Sequence, residues 1–421
     1  MLSIYRFLIN IIYLFAPIIL AMRIKKNKEH PYRFREKLGY IKKIRTNGKL
    51  IWFHASSVGE TLSIIPILEK IEKIKNIKTI LITTNTLSSS KILLNKNLKK
   101  VVHQFLPLDT NHLSNNFLNY WNPDLAIFVE SEIWPNFIFN IKKKNIPLVL
   151  LNGRITKKTF SNWIRFPNFG KKIFEKFDLC FIQNQETKKF LTLLGSKNIK
   201  NIGNLKYSQS ELSKKSSFKN VLSKNFKNKK IWCASNTHEG EEEICIKIHL
   251  LLKEKIKNLI MIIIPRHIDR TNQIVEKIKE HKLQFQLRSK KLVNKKADVF
   301  LVDTFGETNI FYNISPVIFM GKSLEHHYTK SGQNPIEPAR LGCKILHGPN
   351  IENFRDVYKF LKKIGITNQV NNKKELYSYL LKNINLKTNN SNNQKKINER
   401  GEKILNRTFV ELKKVLDKND N

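Results

Sequence analysis

Acidic residues are scarce in this chain of 421: 34 Asp and Glu stand against 76 Lys and Arg, leaving a formal charge of +42. An excess of that size suits an acidic partner, whether nucleic acid, an anionic membrane surface or a phosphorylated substrate. The lysines, however, are spread over nearly every predicted helix amid much Asn and Ile, so a general drift of composition accounts for part of it. No basic patch interleaved with aromatics and no recognition motif stands out, and no nucleic-acid partner is expected. Cysteine is equally sparse. Cys180, Cys233, Cys245 and Cys343 lie far apart in no ligand spacing. They read as buried free thiols of a reducing compartment and argue against a structural zinc. Also missing are the Gly-x-x-x-x-Gly-Lys phosphate loop, any Asp-x-Asp or His/Asp cluster for a divalent ion, and any short-period repeat. Metal-independent chemistry without a bound cofactor is the expectation.

One long uncharged run is present. Phe7 to Met22 is 16 residues, weakened by Asn10 and Pro17, and Arg23, Lys25, Lys26 and Lys28 follow at once. That length lies at or below the lower limit for a span. With no convincing small-residue cleavage site, the segment reads as a retained anchor, spanning or lying in one leaflet, and the basic flank places the rest of the chain in the cytoplasm.

From Leu50 onward, strand and helix patterns alternate. Strands are expected at Leu50–His54, Thr79–Thr83, Val101–Phe105, Leu125–Val129, Leu148–Leu151 and Leu179–Ile182. A polar stretch after Tyr207 reads as a linker. A second series follows at Lys230–Ala234, Leu259–Ile264, Val299–Val302, Val317–Met320 and Lys344–Leu346. Near-continuous apolar strands between helices predict parallel sheets covered on both faces. The fold class is therefore α/β, with two Rossmann-like parallel-sheet domains facing a cleft. The expected parts are an anchor at 1–22, a first domain at 23–207, a linker at 208–228 and a second domain at 229–396. A last helix at 397–421 could cross back onto the first domain.

The stretch Ile51 to Glu60, IWFHASSVGE, sets Glu60 between the end of a strand and the start of a helix, where open α/β sheets build their sites. Glu60 reads either as a first-turn helix acid favoured by the macrodipole or as a general base. Glu130 and Glu132 follow the strand Leu125–Val129, with Trp134-Pro135 opening the next helix, and Lys206 in Gly203-Asn204-Leu205-Lys206 ends the first domain. In the second half, Ser235-Asn236-Thr237-His238-Glu239-Gly240 leaves a strand and opens a helix, a pattern that offers backbone N–H groups and the hydroxyls of Ser235 and Thr237 to a phosphate. Pro265-Arg266-His267 adds a cation at the same edge. Asp303 to Asn309 contributes Gly306, which permits close backbone approach, and Asn334-Pro335-Ile336-Glu337 contributes a carboxylate suited to ribose hydroxyls. Together these four strand-end loops amount to equipment for a nucleotide.

Taken in order, HASSVGE, ESEIWPN, LNGRIT, GNLKYS, SNTHEGEEE, IIPRHIDR, DTFGE and GQNPIEPA resemble the Kdo transferase family, enzymes that move 3-deoxy-D-manno-oct-2-ulosonic acid (Kdo) from CMP-Kdo onto the lipid A precursor. The likeness runs from the N-terminal anchor to about Phe354. It implies a GT-B glycosyltransferase of the bacterial inner membrane, acting on lipid IVA at the cytoplasmic face beside anionic lipids. It also implies that Glu60 is the proton acceptor and that Glu130 and Lys206 stabilise the transition state. For CMP it points to Pro265, Arg266, Gly306, Glu307, Thr308, Asn334, Pro335, Ile336 and Glu337. Two stretches depart from the family pattern. Lys322 stands where a second glycine is usual, and Ser331 and Gln333 replace residues of a usual Gly-Gly-His-Asn. The rival readings are another GT-B enzyme, such as a nucleotide-sugar epimerase or UDP-sugar transferase, and a basic nucleic-acid-binding protein.

Overall fold

Long apolar strand segments leave both faces of each sheet to be covered, and the molecule solves this twice. The computed structural model describes all residues except 95, 210–221, 223–225, 227, 291–295, 325–331, 387–390 and 418–421. The chain divides into two units, the first made of Met1–Ser210 and Arg400–Asn421, the second of Glu211–Glu399. Most of the stretch read as a linker lies outside the described residues. Leu222 and Phe226 within it are buried, and Phe226 packs edge-on against Phe300 of the second unit.

Unit 1 holds strands β1 (Lys49–His54), β2 (Ile77–Thr84), β3 (Val101–Phe105), β4 (Leu125–Val129), β5 (Leu148–Gly153), β6 (Leu179–Ile182) and β7 (Ile199–Asn201). They form one sheet in the order β3-β2-β1-β4-β5-β6-β7, parallel throughout. Its connecting helices begin with α1 (Leu2–Lys25), α2 (Val58–Ile71), α3 (Leu87–Leu94), α4 (Asn111–Trp121) and α5 (Pro135–Lys143). Every residue of β4 is buried, as expected of a strand covered on both sides. On one face Trp52 packs against Phe117, Phe128 and Phe137, with ring centroids 4.9, 5.3 and 5.5 Å away.

Unit 2 repeats the plan. Strands β8 (Lys230–Thr237), β9 (Leu259–Pro265), β10 (Phe285–Leu287), β11 (Val299–Leu301), β12 (Val317–Met320), β13 (Lys344–His347) and β14 (Thr367–Gln369) form a parallel sheet in the order β10-β11-β9-β8-β12-β13-β14. In each sheet the winding reverses once, between β1 and β4 and between β8 and β12. The crevice beyond the strand ends at such a reversal is where open α/β sheets bind ligands.

Four expected strands, Val101–Phe105, Leu125–Val129, Leu179–Ile182 and Val317–Met320, agree with the structure to the residue. The strands the sequence reading missed, β7, β10 and β14, are three residues long and lie at sheet edges. β7 and β14 carry neither a continuous apolar run nor a period-two pattern, whereas β10 lies in the alternating stretch Leu283-Gln284-Phe285-Gln286-Leu287, a signal that was available. The C-terminal helix, Ser391–Asp417, packs in unit 1 from Arg400 onward. Its Gly401 lies so close to Tyr207 that an added Cβ would stand 2.3 Å from the Tyr207 carbonyl oxygen, and Gly203 lies against Ile404 in the same way. Lys49 Nζ donates to the Leu416 carbonyl at 2.9 Å, and Lys200 pairs with Glu411 at 2.5 Å. The four cysteines are free and buried.

Candidate functional site

Unit 1 builds its site from the turn between β1 and α2. Ser57 caps α2, accepting from the Glu60 N–H, while Glu60 reaches back to the cap backbone and completes a reciprocal capping box. The Ser56 N–H donates to Glu60 Oε2 at 2.7 Å, and Ser57 Oγ donates to Oε1 at 2.8 Å. These bonds and the helix dipole favour the charged carboxylate. Burial works against them and is the larger effect. With the nearby negative charges of Glu130 and Glu132 it pushes Glu60 up to about 7 from an ordinary value of 4.5. The first-turn acid and the candidate base are thus the same group: the capping box fixes its position, and its surroundings raise its proton affinity into the working range of a base.

Glu130 follows β4 directly, in the left-handed region at φ 57°, a strained conformation for a residue with a Cβ. Its Oε1 lies 2.5 Å from Lys206 Nζ, in an ion pair whose two side chains are nearly buried. Lys206 sits on the short turn Leu205–Ser208, capped by Asn204, and its Nζ comes within 4.0 Å of the position a Cβ on Gly59 would occupy. The structure therefore brings Glu60, Glu130 and Lys206 together at the winding reversal of one sheet, although they are up to 146 positions apart in sequence.

Three neighbours were not singled out as site residues from the sequence. His54, the last residue of β1, is enclosed, with Nδ1 2.9 Å from Thr83 Oγ1 and Nε2 3.1 Å from Glu132 Oε2. Trp134 Nε1 donates to both His54 Nε2 and Glu132 Oε2, at 3.1 and 3.0 Å, which locks the second carboxylate of ESE in place. Arg154, in the LNGRIT segment, is also part of the cluster. Burial lowers its pKa, against the opposing charges of Glu130 and Glu186. A cation placed at a strand end, the signal used for Arg266, was available for Arg154 too.

In unit 2 the placement of Ser235 differs from expectation. β8 continues to Thr237, and the helix after it starts at Glu241, with Gly240 at its cap. Ser235 is thus inside the strand, fully buried, its hydroxyl 2.6 Å from Tyr312 Oη. Thr237 is buried as well. The helix N-terminus already carries acids of its own. Glu241 accepts from the backbone N–H groups of His238, Lys322 and Ser323 at 3.0, 2.6 and 3.0 Å, and Glu242 is paired with Arg270. Side-chain cations stand beside this turn as well.

Those cations gather round His238. It is pushed down to about 4 by burial first, then by Lys322, His267, Arg266 and Arg270. The His238 and His267 rings meet edge to face at 5.6 Å, and Gln333 Nε2 lies 3.5 Å from His238 Nε2. Pro265 is the register partner of Thr237, so Arg266 and His267 leave β9 exposed beside the β8 turn. Lys322 occupies the left-handed region at φ 56°, which is why a glycine suits that position. Gly321 before it is confined by Asn236 and Thr237 backbone. Ser331 lies outside the described residues.

The remaining nucleotide candidates lie in the loop after β11 and in the segment that opens the helix Ile336–Arg340, between β12 and β13. Gly306 has φ 78° and open space where a Cβ would be. Glu307 is engaged by Arg288 at 2.7 Å and by Thr304 at 2.5 Å, so its side chain orders the loop. Thr308 Oγ1 donates to Glu337 Oε1 at 3.2 Å, joining the third and fourth loops, and burial raises the Glu337 pKa despite that bond and the Arg340 charge. Asn334 Oδ1 accepts from the Ile336 N–H at 3.2 Å, and Pro335 and Ile336 are buried beneath. Among the described residues no group of three or more His, Cys, Asp or Glu is arranged to hold a metal ion.

Residues 32–209 match the family described as 3-Deoxy-D-manno-octulosonic-acid transferase (kdotransferase). A 3-deoxy-D-manno-octulosonic acid transferase of Rickettsia bellii is 32% identical over 411 residues, covering 96% of this chain and 97% of that protein. The corresponding Haemophilus influenzae protein is 30% identical over 373 residues, covering 87% and 86%. Among solved structures, a putative UDP-N-acetylglucosamine 2-epimerase from Listeria monocytogenes superposes with a TM-score of 0.62, covering 88% of this chain and 98% of that one at 12% identity, a likeness of fold alone.

Proposed function

Because the chain belongs to the 3-deoxy-D-manno-octulosonic acid (Kdo) transferase family, whose glycosyltransferases act in lipopolysaccharide biosynthesis, we propose that it transfers Kdo from CMP-Kdo to the lipid A precursor lipid IVA by an inverting displacement with Glu60 as general base. The observation that carries this reading is the convergence of Glu60, Glu130 and Lys206 at the reversal between β1 and β4, with Glu60 raised to about 7. A carboxylate of that basicity takes the proton from a glucosamine hydroxyl as its oxygen attacks the anomeric carbon of Kdo. The C–O bond to the CMP phosphate breaks, and the electron pair leaves with CMP. Base catalysis of this kind contributes about 10²–10⁴-fold, and positioned charge contributes at least as much. The ion-paired Lys206 and Glu130 are the positioned charges of unit 1.

For the donor, Arg266, His267 and the neighbouring Lys322 receive the CMP phosphate, Gly306 leaves room for close approach, and Glu337 takes the ribose hydroxyls. Glu307, Thr308, Asn334, Pro335 and Ile336 hold those loops in shape, while Ser235, Thr237 and Pro265 form the buried floor. The GT-B fold is common to epimerases and transferases, so the nucleotide decides between them. The apolar helix α1 anchors the enzyme to the inner membrane, with both units on the cytoplasmic side and the basic flank against anionic lipid. The test is incubation with CMP-Kdo and detergent-dispersed lipid IVA, with the anomeric configuration of the product read by NMR. A glycosidic bond of configuration opposite to the donor's is expected. Retention, or turnover of a UDP-sugar instead, refutes the reading.

A further inference from the structure

The helix α1 is apolar enough and, at 24 residues, long enough to cross a bilayer, yet its contacts describe another arrangement. One stripe, with Tyr5, Ile9, Tyr13, Ala16 and Leu20, is half-buried or buried against unit 1 over the whole length of the helix. The opposite stripe, Ile4, Phe7, Ile11, Leu14, Ile18 and Met22, is apolar and between 38% and 74% exposed.

Both ends are tied to the same unit by polar bonds. Near the N-terminus, Tyr5 Oη donates to Asp109 Oδ2 at 2.8 Å, and Arg6 Nε donates to Asn136 Oδ1 at 2.9 Å. Asp109 and Asn136 are fully buried. At the other end, Arg23 Nε donates to the buried Glu29 at 2.8 Å, and Glu29 is shared with Lys37, whose Nζ also donates to the Asn85 carbonyl at 2.9 Å. Asn85 in turn donates to Ser56 Oγ at 2.9 Å, in the Glu60 turn.

Glu29 and Lys37 precede β1, but the other anchor points lie beyond the C-terminal ends of parallel strands: Asn85 after β2, Ser56 after β1, Asp109 after β3 and Asn136, in the first turn of α5, after β4. The helix therefore runs along the edge of the sheet that carries Glu60. The distance from Arg6 to Arg23 along the axis is about 26 Å, close to the ~30 Å of a hydrocarbon core. A span would carry one tied end to the far side, or sink Asp109 and Asn136 into hydrocarbon, where polar groups are costly.

We infer that α1 does not cross the membrane but lies in the plane of one anionic leaflet, its outward stripe buried at the headgroup–acyl boundary, so that the sheet edge bearing Glu60 is held at headgroup level. The occupant of the exposed face is lipid. The stripe is apolar, and it ends in the exposed cations Lys25, Lys26 and Lys28, which complement anionic headgroups. This inference rests on the reading of α1 as the membrane anchor and adds its orientation. An acceptor whose sugar lies at headgroup level would then meet the base without leaving the bilayer.

The test uses the full chain, in which the four native cysteines are buried. An environment-sensitive label is placed at Ile4→Cys, Leu14→Cys or Met22→Cys. Its depth in phosphatidylcholine/phosphatidylglycerol vesicles is read by quenchers fixed at known positions along the lipid chains. In-plane insertion gives one shallow depth for all three labels, about 5–10 Å below the headgroups. A span gives Leu14 at the centre and the other two near opposite surfaces, separated by about 27 Å. That result overturns the inference while leaving anchoring intact. Failure of the unlabelled chain to float with the vesicles removes the anchor reading itself, as does burial of the labels by self-association of the chain in the absence of lipid.

Discussion

Replacing Glu60 with Gln separates the two roles of that side chain. Glutamine is nearly isosteric and still suits the third position of a capping box, since its amide oxygen can accept from the N–H of the cap residue Ser57 and from that of Ser56. What it cannot do is take a proton. The transfer rate should therefore fall about 10²–10⁴-fold. Stability should move the other way, and the sign follows from linkage. The pKa of Glu60 is raised in the fold, from 4.5 to about 7. Its contribution to stability is therefore fully present below pH 4.5 and is lost as pH rises through about 7. At about 1.36 kcal/mol per pH unit, the ionised group costs the wild type about 3 kcal/mol above pH 7, an upper figure. Glu60→Gln removes that cost. The variant should unfold at nearly the wild-type temperature at pH 5 and several degrees higher at pH 8.

Two assays check this. Thermal unfolding at pH 5 and pH 8 follows stability, and CMP release with lipid IVA in detergent follows activity between pH 5.5 and 8.5. Wild-type kcat/KM should rise about tenfold per unit below pH 7 and level off above it. A wild-type rate in Glu60→Gln, or a flat wild-type profile across that range, refutes the assignment.

Lys206→Met should lower transfer by about 10²–10³-fold and destabilise the fold, because it leaves the Glu130 carboxylate nearly buried without its cation. Adding Glu130→Gln should restore the melting temperature but not the rate; restoration of both would make the pair purely structural. Arg266→Ala, at an exposed side chain, should leave unfolding of the free protein unchanged and raise the Kd for CMP about ten- to a hundredfold by calorimetry. Gly401→Ala should destabilise by about 1–3 kcal/mol in denaturant, although alanine is the better helix former by about 1 kcal/mol. The added Cβ would meet the Tyr207 carbonyl oxygen, and the displaced turn carries Lys206, so transfer should fall too.

How much the sequence disclosed depended on how far apart the partners lie. Strands such as Leu125–Val129 are apolar throughout because both faces are covered, and that run is local and legible. The two parallel-sheet domains follow from such runs. The three-residue edge strands are too short for such a run, and only β10 shows an apolar–polar alternation. Glu60, Glu130 and Lys206 stood out as residues at strand ends, but the pairing of Glu130 with Lys206 depends on a packing between distant segments. Ser235 was misplaced because β8 runs three residues further than its apolar stretch, through polar Ser235, Asn236 and Thr237. The uncharged run in α1 was plain, whereas its docking was not: Tyr5 and Arg6 find partners 104 and 130 positions away.

Whether this chain joins Kdo to a lipid is read by mass spectrometry of lipid IVA after incubation with the purified full chain and CMP-Kdo. The lipid should gain the mass of one or more Kdo residues, with an equal number of CMP molecules released, and Glu60→Gln should leave the lipid unchanged. An unmodified lipid in the presence of active wild-type protein and intact CMP-Kdo would contradict the proposed transfer.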